Sequence, residues 1–175
     1  MRNYLIVIDM QNDFVNGALG SAEAAAIVPA VVEKIWSFDG DVLFTYDTHG
    51  ADYPQTREGR KLPVAHCVEG TEGWRLHGEL EDVRFKIGGK AFTKTTFGSR
   101  ELAAYLMLEN EKTPIGRVEL VGLCTDICVI SNALLLQAFL PETEIAVDAS
   151  CCAGITPEGH TRALEAMRTC QIEVL

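Results

Sequence analysis

No apolar run in this 175-residue chain approaches the ~20 residues needed to cross a bilayer, so no membrane-spanning segment is expected. The amino-terminal apolar stretch is short and meets charge early, which argues against a signal peptide and for a cytoplasmic protein. Basic residues are in deficit: 15 Lys and Arg stand against 25 Asp and Glu, a net charge of −10. Scattered bases in an acidic chain do not make the positive field of a nucleic-acid binder, so a small, neutral or shielded substrate is the better partner. Repeats of about 20–50 residues are absent, and so is low-complexity sequence. What remains is 47% apolar and 23% charged, an ordinary globular composition. The length suits one domain, residues 1–175.

Strand and helix patterns alternate along the chain. Apolar runs at 4–8, 41–46, 118–121, 145–147 and 172–175 read as strands, with a weaker one at 83–86. Helical patterns cover Val28, Val31, Val32 and Ile35, then 99–108, then a segment to about Phe139 capped by Thr125 or Asp126. Thr156 followed by Pro157 starts another. A long loop rich in Gly, Pro and charge fills 48–73, and loops of that length in compact domains are usually functional. Continuous apolar strands separated by helices predict parallel strands buried on both faces. The expected fold is α/β, a three-layer sandwich with a mainly parallel sheet of five or six strands. Ligands bind beyond the carboxyl ends of such strands, where Asp9, Asp47 and the turn 122–128 fall.

Six cysteines in a chain with no export signal are expected to be reduced thiols. Cys128 lies where a strand turns into a helix, so helix amides would stabilise a thiolate and hold an oxyanion. It is the best nucleophile candidate. Cys124 and Cys128 are spaced C-x3-C, not the C-x-x-C of thiol oxidoreductases. Cys67 and Cys170 read as packing cysteines, as do Cys151 and Cys152, which follow a strand end. Asp47 and His49 occupy alternate residues at another strand end, with His66 in the same loop region. One carboxylate and two imidazoles suit Zn, Fe or Mn; loop histidines hydrogen-bonded to carboxylates would look the same. His77 and His160 read as surface helix residues without a role.

The run Asp9, Met10, Gln11, Asn12, Asp13, Phe14, together with Gly122, Leu123, Cys124, Thr125, Asp126, Ile127, Cys128, Val129, resembles the isochorismatase-like cysteine hydrolase superfamily. The segment 66–73 is similar to the part of its nicotinamidase branch that surrounds a metal-binding histidine. The resemblance covers nearly the whole chain. It implies a triad of Asp9, a lysine and Cys128 that cleaves a small amide through a thioester, releasing ammonia. Lys94, a few residues before Phe97, fits the lysine; Lys90 and Lys86 are near enough to compete. The family further implies an oxyanion hole from the backbone N–H groups of Cys124 and Cys128, and a cis peptide before Cys124.

For the metal, the resemblance implies Asp47, His49 and His66 with a fourth ligand that is His or Glu in relatives. Gln55 stands where one version would place the histidine, whereas Glu58 fits the glutamate version. A divalent ion is therefore expected, zinc first, with Fe or Mn as alternatives. Phe14 matches a family aromatic near the substrate ring. Trp74 and Tyr53 are further pocket-wall candidates, with loop anchoring as the other explanation. The leading expectation is a nicotinamidase-like amidase. A metal-free amidohydrolase of carbamoyl or ureido compounds is the alternative within the superfamily, and a thiol redox or metal-binding protein the alternative outside it. Relatives commonly form oligomers, so a homo-oligomer is allowed for, although no interface is readable.

Overall fold

Five consecutive residues, Tyr4, Leu5, Ile6, Val7 and Ile8, are fully buried, and their side chains alternate between two separate cores. In the computed structural model, which describes residues 1–175, Tyr4, Ile6 and Ile8 join one core and Leu5 and Val7 the other. A strand covered on both faces has no solvent side, hence its unbroken apolar character. Each such side chain contributes about 1.5–3 kcal/mol on burial.

This strand, β1 (Arg2–Ile8), belongs to a six-stranded sheet with β2 (Asp41–Asp47), β3 (Lys90–Lys94), β4 (Ile115–Leu123), β5 (Glu144–Ala153) and β6 (Glu173–Val174). Their order is β3-β2-β1-β4-β5-β6, and every neighbouring pair is parallel. One face is covered by α1 (Asn12–Val15), α2 (Ala22–Ala26), α3 (Val28–Ser37) and α4 (Glu79–Ile87), through Phe14, Ala24, Val31, Ile35, Leu80 and Val83. The other face is covered by α5 (Arg100–Lys112), α6 (Ile130–Phe139) and α7 (Pro157–Thr169), through Leu102, Leu106, Leu136, Leu164 and Met167. The expected three-layer α/β architecture is present, with six strands. From β1 the chain builds outward through β2 and β3, then returns to β4 on β1's other side. The crevice at that reversal is where open parallel sheets bind ligands.

Three local expectations are corrected. Residues 83–86 are not a strand. Val83 and Phe85 alternate with Arg84 and Lys86, mimicking period two, yet they lie in α4, which buries Leu80 and Val83 and ends at Gly88 with φ +67. The strand is β3, a few residues later. β5 runs on to Ala153, so Cys151 and Cys152 lie within it. Leu120 pairs with Val147 but Gly122 with Cys152, and the intervening bulge is tied down by Asp148, which accepts from Ser150 and Lys34. Finally, neither Thr125 nor Asp126 caps a helix; Cys124 precedes a π-helical turn, Thr125–Val129, which leads into α6. The short helices α1 and α2 carry too little periodicity to be read from sequence.

Gly122 ends the contact between β4 and β1. Its φ is +115, and a Cβ there would lie 2.2 Å from the Ile8 carbonyl oxygen. Gly122→Ala is expected to cost about 3 kcal/mol or more, lowering Tm by roughly 6–12 °C for a chain of this size. Thermal unfolding followed by circular dichroism measures this, and an unchanged Tm would contradict the close approach.

Candidate active site

Asp9 is the first residue beyond β1. It is fully buried and its φ is +46, a conformation that Asp tolerates better than most residues. Non-glycine residues held this way cluster at functional sites. The Thr45 hydroxyl donates to Asp9 Oδ1 at 2.6 Å and accepts from the Asp9 N–H at 3.2 Å. On the other oxygen, Lys94 Nζ lies 2.7 Å from Asp9 Oδ2. Lys94 ends β3 opposite Asp47. Its ammonium is also 3.1 Å from Asp47 Oδ1 and 3.5 Å from Cys128 Sγ. Lys90, four positions back, sits over the Tyr105 ring at 3.9 Å, and Lys86 is on α4. Among the three candidate lysines, Lys94 is the one brought to Asp9 and the thiol.

Cys128 is 4% exposed. Its carbonyl accepts from Asn132 Nδ2 at 2.8 Å. The same amide donates to Phe97 O at 3.1 Å, and its oxygen accepts from the Ser99 N–H at 2.9 Å. Asn132 thus ties the thiol's turn to the segment that follows Lys94. The Leu123–Cys124 peptide is cis, and the Cys124 N–H meets no acceptor in the protein. One expectation changes sign. Burial pushes the Cys128 thiol well above its ordinary range, and Lys94 opposes this without overcoming it. Burial likewise raises Asp9 against the pull of Lys94. Cys128 therefore holds its proton more tightly than a free thiol. Thr45 and Lys94 meet the two Asp9 oxygens, so Asp9 sits beside the ammonium as its carboxylate, with a raised affinity for the one proton it exchanges with the thiol.

Asp47 differs. Burial alone would raise it, but its contacts with His49 and His66 and the charge of Lys94 hold it well below the usual carboxylate range. His49 Nε2 lies 2.9 Å and His66 Nε2 3.5 Å from Asp47 Oδ2. Glu58 Oε1 is 3.8 Å from His49 Nε2 and 3.9 Å from His66 Nε2. The ligand atoms of Asp47, His49, Glu58 and His66 all lie within 4.8 Å of one another. The His66 ring tests whether this set fits a cation. Its Nδ1 is 2.8 Å from the Val64 carbonyl, which can only accept, so Nδ1 carries the hydrogen. Nε2 then faces Asp47 and Glu58, placed either to donate to them as an imidazolium or to share a cation with them. Two imidazoles and two carboxylates suit a divalent transition ion.

Gln11, given no role in the sequence reading, builds this corner. Its Nε2 donates to the Asp47 and Trp74 carbonyls, and its Oε1 accepts from the Asp47 N–H, all at 2.8 Å. Phe14 packs on His66, with ring centroids 5.4 Å apart. Tyr53 backs both imidazoles, at 4.6 Å from His49 and 5.0 Å from His66. Trp74 is held by Tyr46 at 5.2 Å and by its Nε1–H donated to Thr48 Oγ1 at 2.9 Å, contacts that anchor its loop. A polar groove of about 300 Å³ opens at Lys94, with Thr48, Glu69, Thr95, Ser99 and Arg100 among its lining. His77 is not on a helix; it precedes α4, with Nδ1 2.9 Å from Asn12 Oδ1. His160 is on α7 but half-buried against Thr125.

An isochorismatase-domain family model matches residues 3–175. A Bacillus subtilis protein described as an uncharacterized isochorismatase family protein, PncA, is 32% identical over 173 residues, covering 94% of this chain and 93% of its own. The nicotinamidase/pyrazinamidase of Mycobacterium tuberculosis is 28% identical over 182 residues, covering 98% and 97%. Among solved structures, the Pyrococcus horikoshii pyrazinamidase in complex with zinc superposes with a TM-score of 0.82 at 28% identity, covering 100% of this chain and 99% of its own. Nicotinamidase/pyrazinamidase PncA from Bacillus subtilis gives 0.79 at 31% identity, covering 99% of each chain.

Lys94 is the charge that lowers the proton affinity of Cys128, so removing it should raise the thiol pKa further. Lys94→Met is expected to move iodoacetamide alkylation of Cys128 to higher pH and slow it at least tenfold at pH 8. Lys90→Met should leave the profile unchanged. Mass spectrometry of the labelled cysteine reads both, and a shift in Lys90→Met alone would reassign the lysine.

Proposed function

The chain belongs to the isochorismatase family, and from that premise we propose that it is a metal-assisted cysteine amidohydrolase that converts nicotinamide, or a closely related aromatic carboxamide, to the carboxylate and ammonia. What carries this reading is the Lys94 ammonium in contact at once with Asp9, Cys128 and Asp47. Nicotinamidase and pyrazinamidase relatives that match nearly the whole chain support the substrate class. Asp9 takes the thiol proton as Cys128 Sγ attacks the amide carbonyl carbon. The N–H groups of Cys124 and Cys128 receive the developing oxyanion. Asp9 returns the proton to the departing nitrogen, and ammonia leaves a thioester. Water, deprotonated by Asp9, then attacks the thioester, and the thiol recovers its proton as the acid departs. Lys94 keeps its charge throughout, because the one negative charge that passes between Asp9 and Cys128, with Asp47 beside it, outweighs the cost of its burial.

Asp47, His49, Glu58 and His66 would hold the metal, and zinc is the first choice because the Pyrococcus horikoshii relative was solved in complex with it. Such an ion supplies a Lewis-acid anchor for a ring nitrogen or a ligated water. Phe14, packed on His66, would flank a ring bound there. Four ligand atoms of suitable type within 4.8 Å of one another favour this reading over a metal-free amidohydrolase.

Cys128→Ala should abolish ammonia release from nicotinamide while leaving Tm within a few degrees of wild type. Retained turnover would end the nucleophile assignment. Elemental analysis of tag-free protein purified without chelator should find about one metal ion per chain, lost in His49→Ala and in His66→Ala. Near-zero stoichiometry that persists after adding Zn, Fe or Mn would remove the metal and favour the carbamoyl or ureido alternative.

A further inference from the structure

His160 has no part in the reaction as written, yet the structure sets its ring against the turn that bears the thiol. Its Nδ1 is 2.8 Å from Thr125 Oγ1. Thr125 is fully buried, and its hydroxyl has no other partner in the protein. Desolvation lowers the His160 pKa against the opposing charge of Asp126, which favours the neutral imidazole. It exchanges a single hydrogen bond with the hydroxyl.

The surroundings are shaped for this contact. A Cβ on Gly154 would lie 2.7 Å from the His160 backbone nitrogen, and one on Gly159 would lie 2.4 Å from Asp126 Oδ2. These two glycines let α7 approach the turn closely. Asp126 Oδ1 accepts from the Ile155 N–H at 3.1 Å, and the Cys128 carbonyl is held by Asn132. Asp126 and Cys128 are thereby fixed. Thr125 joins Cys124, whose N–H is free of protein acceptors, to the rest of the turn, and His160 is what holds the Thr125 side chain.

We infer that His160 is a positioning residue: through Thr125 it orients the peptide groups of residues 124–128 so that the N–H groups of Cys124 and Cys128 converge on the oxyanion formed at the substrate carbonyl. The inference rests on the amidase reading above. An oxyanion donor is effective only over a few tenths of an ångström, and losing one costs about 100- to 1000-fold in rate. Misaligning the set by releasing one tether should cost less than that.

The test compares ammonia-release kinetics on nicotinamide with alkylation of Cys128 by iodoacetamide. Alkylation is displacement at a saturated carbon and develops no carbonyl oxyanion. His160→Ala is expected to lower kcat about 10- to 100-fold, with KM and the alkylation rate both within about twofold of wild type. Thr125→Val should do the same, and the double variant should be no slower than the slower single one. His160→Asn, whose side-chain oxygen can stand near the place of Nδ1, should recover most of the loss. Wild-type kcat in His160→Ala overturns the inference whatever happens to Tm, leaving a structural tether. Equal losses in kcat and alkylation also overturn it, because the residue would then act on the nucleophile. So does a slow His160→Ala beside a wild-type Thr125→Val. If the wild-type chain releases no ammonia from a panel of small amides, the amidase reading itself fails and the inference falls with it.

Discussion

Lys94 carries a positive charge into a place from which water is excluded, at 5% exposure. An uncompensated ammonium there would be unaffordable on folding, since desolvating one ion in a protein costs several kcal/mol. Asp9 and Asp47 supply the compensation at 2.7 and 3.1 Å, and each is itself stabilised by the lysine. The dependence reaches into the backbone. Asp9 adopts its left-handed conformation beyond β1 with its carboxylate held between Thr45 and Lys94. Asp47 is gripped at both its N–H and its carbonyl by Gln11. The sheet order makes this economical. β3, β2, β1 and β4 are consecutive neighbours, and their carboxyl ends deliver Lys94, Asp47, Asp9 and the Cys128 turn in that same sequence.

That geometry separates two anionic roles. Asp47 is committed to charge, because two imidazoles and the ammonium favour its ionised form. Burial raises the proton affinity of both Asp9 and Cys128, while the donors Thr45 and Lys94 on the two Asp9 oxygens keep Asp9 the anion of the pair. In the proposed reaction this suits a base and a nucleophile that trade one proton. Neither ion is so stable that it resists the next step. Tilted and edge-on aromatic contacts reinforce the division: Phe14 and Tyr53 pack on the imidazoles and fix the directions of His49 and His66, whereas Trp74 secures the loop that returns to Gln11. The cation-seeking cluster and the thiol thus share a single positively charged neighbour and little else.

The apolar cores left a plain record in the sequence. A continuous run such as 4–8 can only be a strand covered on both faces, and Thr156 before Pro157 marks a helix start by local chemistry alone. Elements failed to show where local pattern and tertiary demand diverged. Val83 to Lys86 alternates like a strand, but α4 needs only Leu80 and Val83 inward, and its exposed Phe85 is free to mislead. The lower part of β5 carries polar residues because it bulges around Asp148, which no periodicity announces. Cys128 was expected to be acidic from its position at a helix start. Its depth in the protein reverses that, and depth is not a local property.

Residue types and their order along the chain determined the strand–helix alternation, the strand-end placement of Asp9 and Asp47, and the short list of thiols, lysines and histidines from which a site could be built. The resemblance in the 9–14 and 122–129 motifs narrowed that list further. Only the tertiary structure chose Lys94 over Lys90 and gave Gln11, Thr45 and Asn132 their contacts. It also brought Glu58 to the two histidines and His160 to Thr125. Lys94 reaches Asp9 across 85 positions and Gln11 reaches Trp74 across 63, and each contact depends on strand register, helix approach and burial. Such quantities arise from the summed packing of both cores, and no window of sequence contains them.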